Sequence, residues 1–180
     1  MRAVIFLAEG FEEIEAITVI DVLRRAEIEV LVVGISSLYI TGAHGITVKC
    51  DCDENDFRFG KDVKIVILPG GMPGTINLQK SSVVQNAINR AIENNVYIGA
   101  ICAAPIILGQ LGLLKNKNAV CYPGFEDKLL EANICNEKVC LDDKFVTAKG
   151  PGAAVDFAFK IVEVLTNVNH MEVIKNDMIY

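Results

Sequence analysis

Apolar residues along this chain come in two alternating patterns, short unbroken runs and longer amphipathic stretches. Arg2–Ala8, Glu29–Val33, Val63–Leu68 and Tyr97–Ile101 are compact runs rich in valine and isoleucine. That is the pattern of strands covered on both faces. Between them, Glu12–Ala26 and Ser82–Asn94 follow helical spacing. In the first, Val19, Val22, Leu23 and Ala26 share one face, with Thr18, Asp21 and Arg25 opposite. A further helix is expected after Pro105. Gly152–Leu165 reads as the last clear helix, with little room for another before Tyr180. Tyr39–Ile40 and Ile46–Cys50 predict a small hairpin around Thr41–Gly45. Ala119–Cys121 predicts a short strand, and Lys138–Leu141 with Lys144–Ala148 predict a pair around Asp142-Asp143.

Strands alternating with helices predict an α/β fold: a flavodoxin-like three-layer sandwich whose mostly parallel sheet has helices on both faces. The length fits a single domain over residues 1–180. In such sheets, functional sites gather at the carboxyl ends of strands. Three turns fall there, after Ala8, after Leu68 and after Ile101.

Composition narrows the function. Hydrophobic residues make up 52% of the chain, ample for a core, and the net charge of −6 argues against a nucleic-acid partner. The six cysteines (50, 52, 102, 121, 135 and 140) form no paired framework. They are expected to be reduced thiols of a cytoplasmic protein. No basic segment precedes an apolar core at the N-terminus, so no signal peptide is expected. Val96–Leu114 is uncharged, but Pro105, Gln110 and its glycines predict strand, turn and helix instead of a membrane span.

The most informative segment is Tyr97-Ile98-Gly99-Ala100-Ile101-Cys102-Ala103-Ala104-Pro105. A buried strand ends at Ile101, Pro105 suits the first turn of a helix, and the small residues between allow a sharp turn at Cys102. A thiol there is expected to feel the positive end of the helix and to have a depressed pKa. A small buried core cysteine is the plainer alternative. A second turn, Pro69-Gly70-Gly71, stops the Val63–Leu68 strand. Its glycines can present bare backbone N–H groups to an oxyanion, or can simply serve tight loop geometry. Near the start of the first helix, Glu12, Glu13 and Glu15 complement the helix dipole. Glu12 and Glu15 also project toward the apolar side, where burial would raise a carboxyl pKa. Periodicity does not separate these two.

Taken together, Ala8-Glu9-Gly10-Phe11-Glu12-Glu13-Ile14-Glu15, Leu68-Pro69-Gly70-Gly71, Ala100-Ile101-Cys102-Ala103-Ala104-Pro105 and Lys149-Gly150-Pro151-Gly152 resemble the ThiJ/PfpI superfamily. The branch is that of the Parkinson's-disease-associated deglycase, and the resemblance covers nearly the whole chain. It implies that Cys102 is the nucleophile and Glu15 the acid beside it. The N–H groups of Gly71 and Ala103 would form the oxyanion hole. Gly70, Tyr122, His44, Gly150 and Pro151 would line the site. It implies small reactive carbonyls such as methylglyoxal as substrates, no glutathione, metal or organic cofactor, and a homodimer. An oxidative-stress sensor or redox-regulated chaperone using oxidation of Cys102 is the alternative the same residues allow.

Some positions depart from the family. Where it often has a histidine before a proline, this chain has Tyr122-Pro123, and a phenol is a poor base at neutral pH. His44 aligns with an arginine that helps orient the acid, although a lone histidine in a glycine-flanked loop is ordinarily just solvated. Proteolysis is not expected, because Ala103 stands where the protease branch has a histidine. An amidotransferase needs a His-x-Glu before the last helix; His170-Met171-Glu172 follows it. Cys50-x-Cys52 lacks the second pair of a structural zinc site and reads as strand residues sharing a face.

Overall fold

A computed structural model describes residues 1–180. In chain order the strands are β1 (Arg2–Leu7), β2 (Glu29–Gly34), β3 (Tyr39–Thr41), β4 (Thr47–Lys49), β5 (Cys52–Asp53), β6 (Val63–Leu68), β7 (Tyr97–Ile101), β8 (Asn118–Ala119), β9 (Asn133–Ile134), β10 (Val139–Asp142) and β11 (Phe145–Ala148). The helices are α1 (Glu13–Arg25), α2 (Gly74–Lys80), α3 (Ser82–Glu93), α4 (Pro105–Gln110), α5 (Ala154–Leu165) and α6 (Val168–Asp177).

A seven-stranded sheet runs in the order β10-β11-β7-β6-β1-β2-β5, parallel except where β10 pairs with β11. The unbroken apolar runs have the reason expected of them. Ala3, Ile5 and Leu7 of β1 face one core layer, while Val4 and Phe6 face the other. In β6, Ile65 and Ile67 divide from Val66 and Leu68 in the same way. Helices α1, α5 and α6 cover the first face, and α3 and α4 cover the second. Strand residues alternate sides, so a sheet with two covered faces needs apolar side chains at nearly every position. The predicted α/β three-layer sandwich is therefore the observed fold. The hairpin around Thr41–Gly45 is also present, as β3 and β4.

Some elements differ from the sequence reading. The chain does have room for a C-terminal helix. In α6, Asn167 caps the first turn by accepting the His170 N–H (3.0 Å), and Met171 and Ile174 are buried in the first core layer. His170 places its Nε2 3.1 Å from the Ala26 carbonyl oxygen, far from an amidotransferase role. The Gly152–Leu165 helix begins as a 3-10 turn at Pro151–Ala153 and becomes α-helical at Ala154. The strand expected over Ala119–Cys121 is Asn118–Ala119, and it pairs with β9 outside the main sheet. Cys50 is not in a strand: it is buried in the loop before β5, and its N–H donates to the Leu38 carbonyl. No helix is long and apolar enough to cross a membrane.

Phe157 of α5 is fully buried in the layer shared with α1. Phe157→Ala should lower unfolding free energy by roughly 3–5 kcal/mol in urea titrations. A loss below about 1 kcal/mol would mean that this layer does not hold α5 on the sheet.

Candidate active site

The sheet delivers three loops to one place. Strand β7 ends at Ile101, and the chain turns at Cys102 with φ = +64°, a left-handed conformation uncommon for a residue with a side chain. Neighbours hold it there. The Cys102 N–H donates to the Ala148 carbonyl at the end of β11 (2.9 Å), and its own carbonyl accepts the Tyr122 N–H (2.7 Å). Strained backbone persists where such contacts over-determine it. The turn leaves a half-buried thiol at the carboxyl end of the sheet.

The loop after β6 supplies the next part. Gly71 has φ = +91°, and a Cβ there would lie 2.4 Å from the Glu12 nitrogen. A Cβ at Gly70 would lie 2.6 Å from the Cys102 Cβ and 2.7 Å from Glu15 Oε2. Only glycine fits the gap between thiol and carboxyl. The Gly70 carbonyl accepts the Glu12 N–H (2.9 Å), which stitches this loop to the start of α1. The Gly70 N–H donates to Glu15 Oε2 (2.8 Å). The N–H groups of Gly71 and Ala103 point at the Cys102 sulfur and favour its thiolate.

Glu15 is fully buried, whereas Glu12 is only partly so. The structure thus separates two acids that helical spacing left equivalent. Burial pushes the Glu15 carboxyl up to about 7, against the Cys102 thiol and the Gly70 N–H, which lower it. Its Oε1 has no well-formed hydrogen bond.

The Cys102 thiol is pushed up to about 12, by burial first and then by the charge and hydrogen bonding of Glu15. This reverses the depressed value expected from its position. The helix that follows, α4, is only six residues long and begins at Pro105, so its dipole is small and distant. Desolvation and a neighbouring carboxylate outweigh it. Between about pH 7 and about pH 12 the carboxyl is therefore ionised while the thiol beside it keeps its proton.

Tyr122 reaches the site through its backbone. Its ring is largely exposed and lies along Gly150, where a Cβ would be 3.1 Å from the ring and 4.0 Å from Cys102 Sγ. The Tyr122 hydroxyl makes no hydrogen bond to another protein group. Pro151 opens the turn beyond Gly150 and shares a shallow groove with Tyr122. His44 is not simply solvated. Its N–H donates to Glu13 Oε1 (2.8 Å), and its Nδ1 lies 2.9 Å from Glu13 Oε2 and 3.5 Å from Glu12 Oε1. It grips the acids next to Glu15 and does not touch Glu15 itself. The Glu13 hydrogen bond and the two acidic charges raise the His44 pKa.

Glu13 is the contributor that sequence reasoning passed over. It is buried, and besides His44 it accepts the Ile46 N–H (3.3 Å), so it ties the β3–β4 loop to α1. Desolvation opposes its charge, but these hydrogen bonds win and lower its pKa. The signal was present, since Ala16 and Ile20 stand three and seven residues further along the same face. Glu12, Glu13 and His44 are also the side chains grouped closely enough to hold a metal, with ligand atoms within 4.8 Å of one another. Cys50 and Cys52 belong to no such group.

The sequence profile of the DJ-1/PfpI family matches residues 1–164. The chain belongs to the DJ-1/PfpI family. Among relatives, it is 34% identical over 161 residues to Protein DJ-1 homolog B of Arabidopsis thaliana, covering 87% of this chain but only 36% of that protein. It is 35% identical over 159 residues to the glutathione-independent glyoxalase DJR-1.2 of Caenorhabditis elegans, covering 87% of this chain and 84% of that protein. Among solved structures, oxidized DJ-1 of Toxoplasma gondii superimposes with a TM-score of 0.91 at 33% identity, over 99% of this chain and 98% of that one.

Burial of Glu15 has a thermodynamic consequence. The folded state keeps the carboxyl proton up to about pH 7, whereas an unfolded carboxyl releases it near 4.5. Between those values the folded state binds more protons, so stability falls as pH rises through the window and is level above it. Wild type should lose roughly 2–3 kcal/mol relative to Glu15→Gln between pH 5 and pH 8, read from urea titrations. Parallel curves for the two proteins would show that Glu15 ionises normally. In an ultraviolet thiolate titration, Glu15→Gln should lower the Cys102 midpoint yet leave it above 9.0, because burial is the larger cause.

Proposed function

We propose that the chain is a cysteine-dependent, glutathione-independent glyoxalase, a stress-response enzyme that converts methylglyoxal to lactate and acts on related small reactive carbonyls and their early adducts. The observation that carries this reading is the Cys102–Glu15 pair, one thiol beside one buried carboxyl under the Gly70-Gly71 turn. The name of the nematode relative and the motifs shared with the deglycase branch support it. A homodimer and a cytoplasmic setting belong to the same proposal. Exposed Ile14 and Ile17 on α1 are suited to meeting a second copy.

The chemistry follows from the geometry. The high thiol pKa means that Cys102 needs a base at the moment of attack, and the Glu15 carboxylate is beside it. Sulfur adds to the aldehyde carbon of methylglyoxal while Glu15 takes the thiol proton. Negative charge on the carbonyl oxygen is met by the N–H groups of Gly71 and Ala103. Return of the proton gives a hemithioacetal. Glu15 then removes the hydrogen from the former aldehyde carbon, forming an enediol, and delivers a proton to the adjacent carbon. The first carbon is oxidised to a thioester as the second is reduced to an alcohol. Water hydrolyses the thioester, releasing lactate and restoring the thiol. Methylglyoxal and water become lactic acid, with no outside oxidant or reductant.

One observation favours the sensor reading. Glu15 Oε1 lacks a partner, so a sulfinate on Cys102 would find a donor there when Glu15 is protonated. Turnover distinguishes the two. Without glutathione, Cys102→Ser should be inactive, and Glu15→Gln should fall by about a hundredfold or more. Wild-type kcat/KM should rise with pH through about 7 as Glu15 becomes a base. Absence of turnover in wild type, with Cys102 sulfinate forming under mild peroxide, would favour the sensor.

Tyr122 supplies a separate test. Its hydroxyl makes no hydrogen bond to another protein group, and its backbone N–H does the positioning. Tyr122→Phe should therefore change kcat/KM less than about twofold. A loss of tenfold or more, about 1.4 kcal/mol, with circular dichroism unchanged, would place the phenol in the chemistry.

A further inference from the structure

Two further cysteines sit behind the wall of the site. Cys135 follows β9 and is half-buried; its N–H donates to the Ala119 carbonyl (3.1 Å), and its Sγ lies 3.6 Å from the same oxygen. Cys140 is in β10 opposite Thr147, and the Thr147 hydroxyl accepts the Val120 N–H (3.1 Å). Both cysteines therefore flank the Ala119–Val120 segment, and their thiols adjoin one another. An open groove of about 300 Å³ lined by Val120, Cys121, Glu126, Ile134, Cys135 and Lys149 reaches Cys135, while Cys140 is only 8% exposed.

The residues between the two cysteines hold the wall. Lys149 Nζ donates to the Asn136 side-chain oxygen (2.6 Å), and its backbone N–H donates to the Lys138 carbonyl (3.0 Å). Gly150, the next residue, adjoins Tyr122 and the Cys102 sulfur.

We propose that Cys135 and Cys140 are a redox-active dithiol whose reversible disulfide tightens the Asn136–Lys138 loop and, through Lys149, reshapes the Gly150 wall of the Cys102 site. A peroxide entering the groove oxidises the half-buried Cys135 thiol to a sulfenic acid, and its O–O bond breaks with loss of one water or alcohol. The Cys140 sulfur then attacks the Cys135 sulfur, an S–S bond forms, and a second water leaves. Two thiols give up two electrons and two protons, and the peroxide is reduced. A thiol reductant reverses the change.

Burial first, and then Cys135, hold the Cys140 thiol up to about 12. Cys140 is thus the slow, protected partner and Cys135 the point of entry.

The test uses the full chain and diamide, which accepts two hydrogens from a dithiol. After treatment, denaturation and alkylation, wild type should be lighter by two hydrogens plus two missing alkyl groups. Peptide mapping should find Cys135 and Cys140 joined, and reduction should free both. Cys135→Ser and Cys140→Ser, each checked by circular dichroism, should each abolish the bond. The alkylation rate of Cys102 in the native protein should change several-fold on oxidation and recover on reduction, and neither serine variant should show this. That readout does not depend on glyoxalase turnover. Free Cys135 and Cys140 after oxidation, a bond from either to another cysteine or another chain, or an unchanged Cys102 rate would each overturn the proposal.

Discussion

A carboxyl group with no exposed surface is the constraint around which this molecule is arranged. Glu15 sits near the start of α1 with one oxygen on the Gly70 N–H and the other without a well-formed bond. Burying an ionised carboxylate in that way is costly, and the group responds by keeping its proton to about pH 7. The surroundings follow from this. Gly70 must lack a side chain because the carboxyl and Cys102 close on it from two sides. The loop after β6 must be stitched to α1 so that its N–H meets the oxygen. Cys102 must be held in a left-handed turn so that its sulfur reaches the same pocket. A thiol with low pKa would have been an independent nucleophile. The thiol here is tied to its acid, whose charge and hydrogen bond help keep the proton on sulfur.

The rest of the fold serves to hold three loops at fixed distances. β1, β6 and β7 lie side by side in the sheet, and each carries a site loop at its carboxyl end. Parallel pairing places those ends together, and cores on both faces keep the strands from shifting. The Glu13 clamp on the β3–β4 loop extends the arrangement outward, since it fixes the first residue of α1 relative to the hairpin. His44 joins that clamp and thereby sets charge beside Glu12, whose negative charge in turn helps raise the Glu15 pKa.

Strand positions were legible because double burial leaves a plain mark, uninterrupted valine and isoleucine. The turn at Cys102 was legible because small residues and Pro105 bracket it. What escaped had weak local signals. α2 opens Gly74-Thr75-Ile76-Asn77, with no cap or stripe to announce it. α6 is short and mostly polar, and its two buried residues acquire meaning only once α5 lies beneath them. The choice between Glu12 and Glu15 depends on helix phase against a loop whose Gly70 lies 55 residues from Glu15, which periodicity cannot supply. The Cys102 shift runs opposite to the local expectation for a related reason. Helix dipoles can be inferred from local sequence, but desolvation and a carboxylate brought from another element cannot.

Tyr122 shows what the remaining chemistry must depend on. With no imidazole at that position, and with His44 engaged by Glu13, Glu15 is the one titrating group beside the thiol near neutral pH. Every proton that moves in the proposed reaction must pass through it or through water. A single carboxyl can do this because its pKa lies near the operating pH, so it gives and takes a proton with comparable ease. Such an economy has a cost in pH range. Below about 7 the carboxyl cannot accept the thiol proton, and the buried thiol cannot lose it unaided. The same burial that raises the Glu15 pKa therefore confines attack to conditions in which Glu15 is ionised, and the protonated state is the one suited to holding an oxidised sulfur instead.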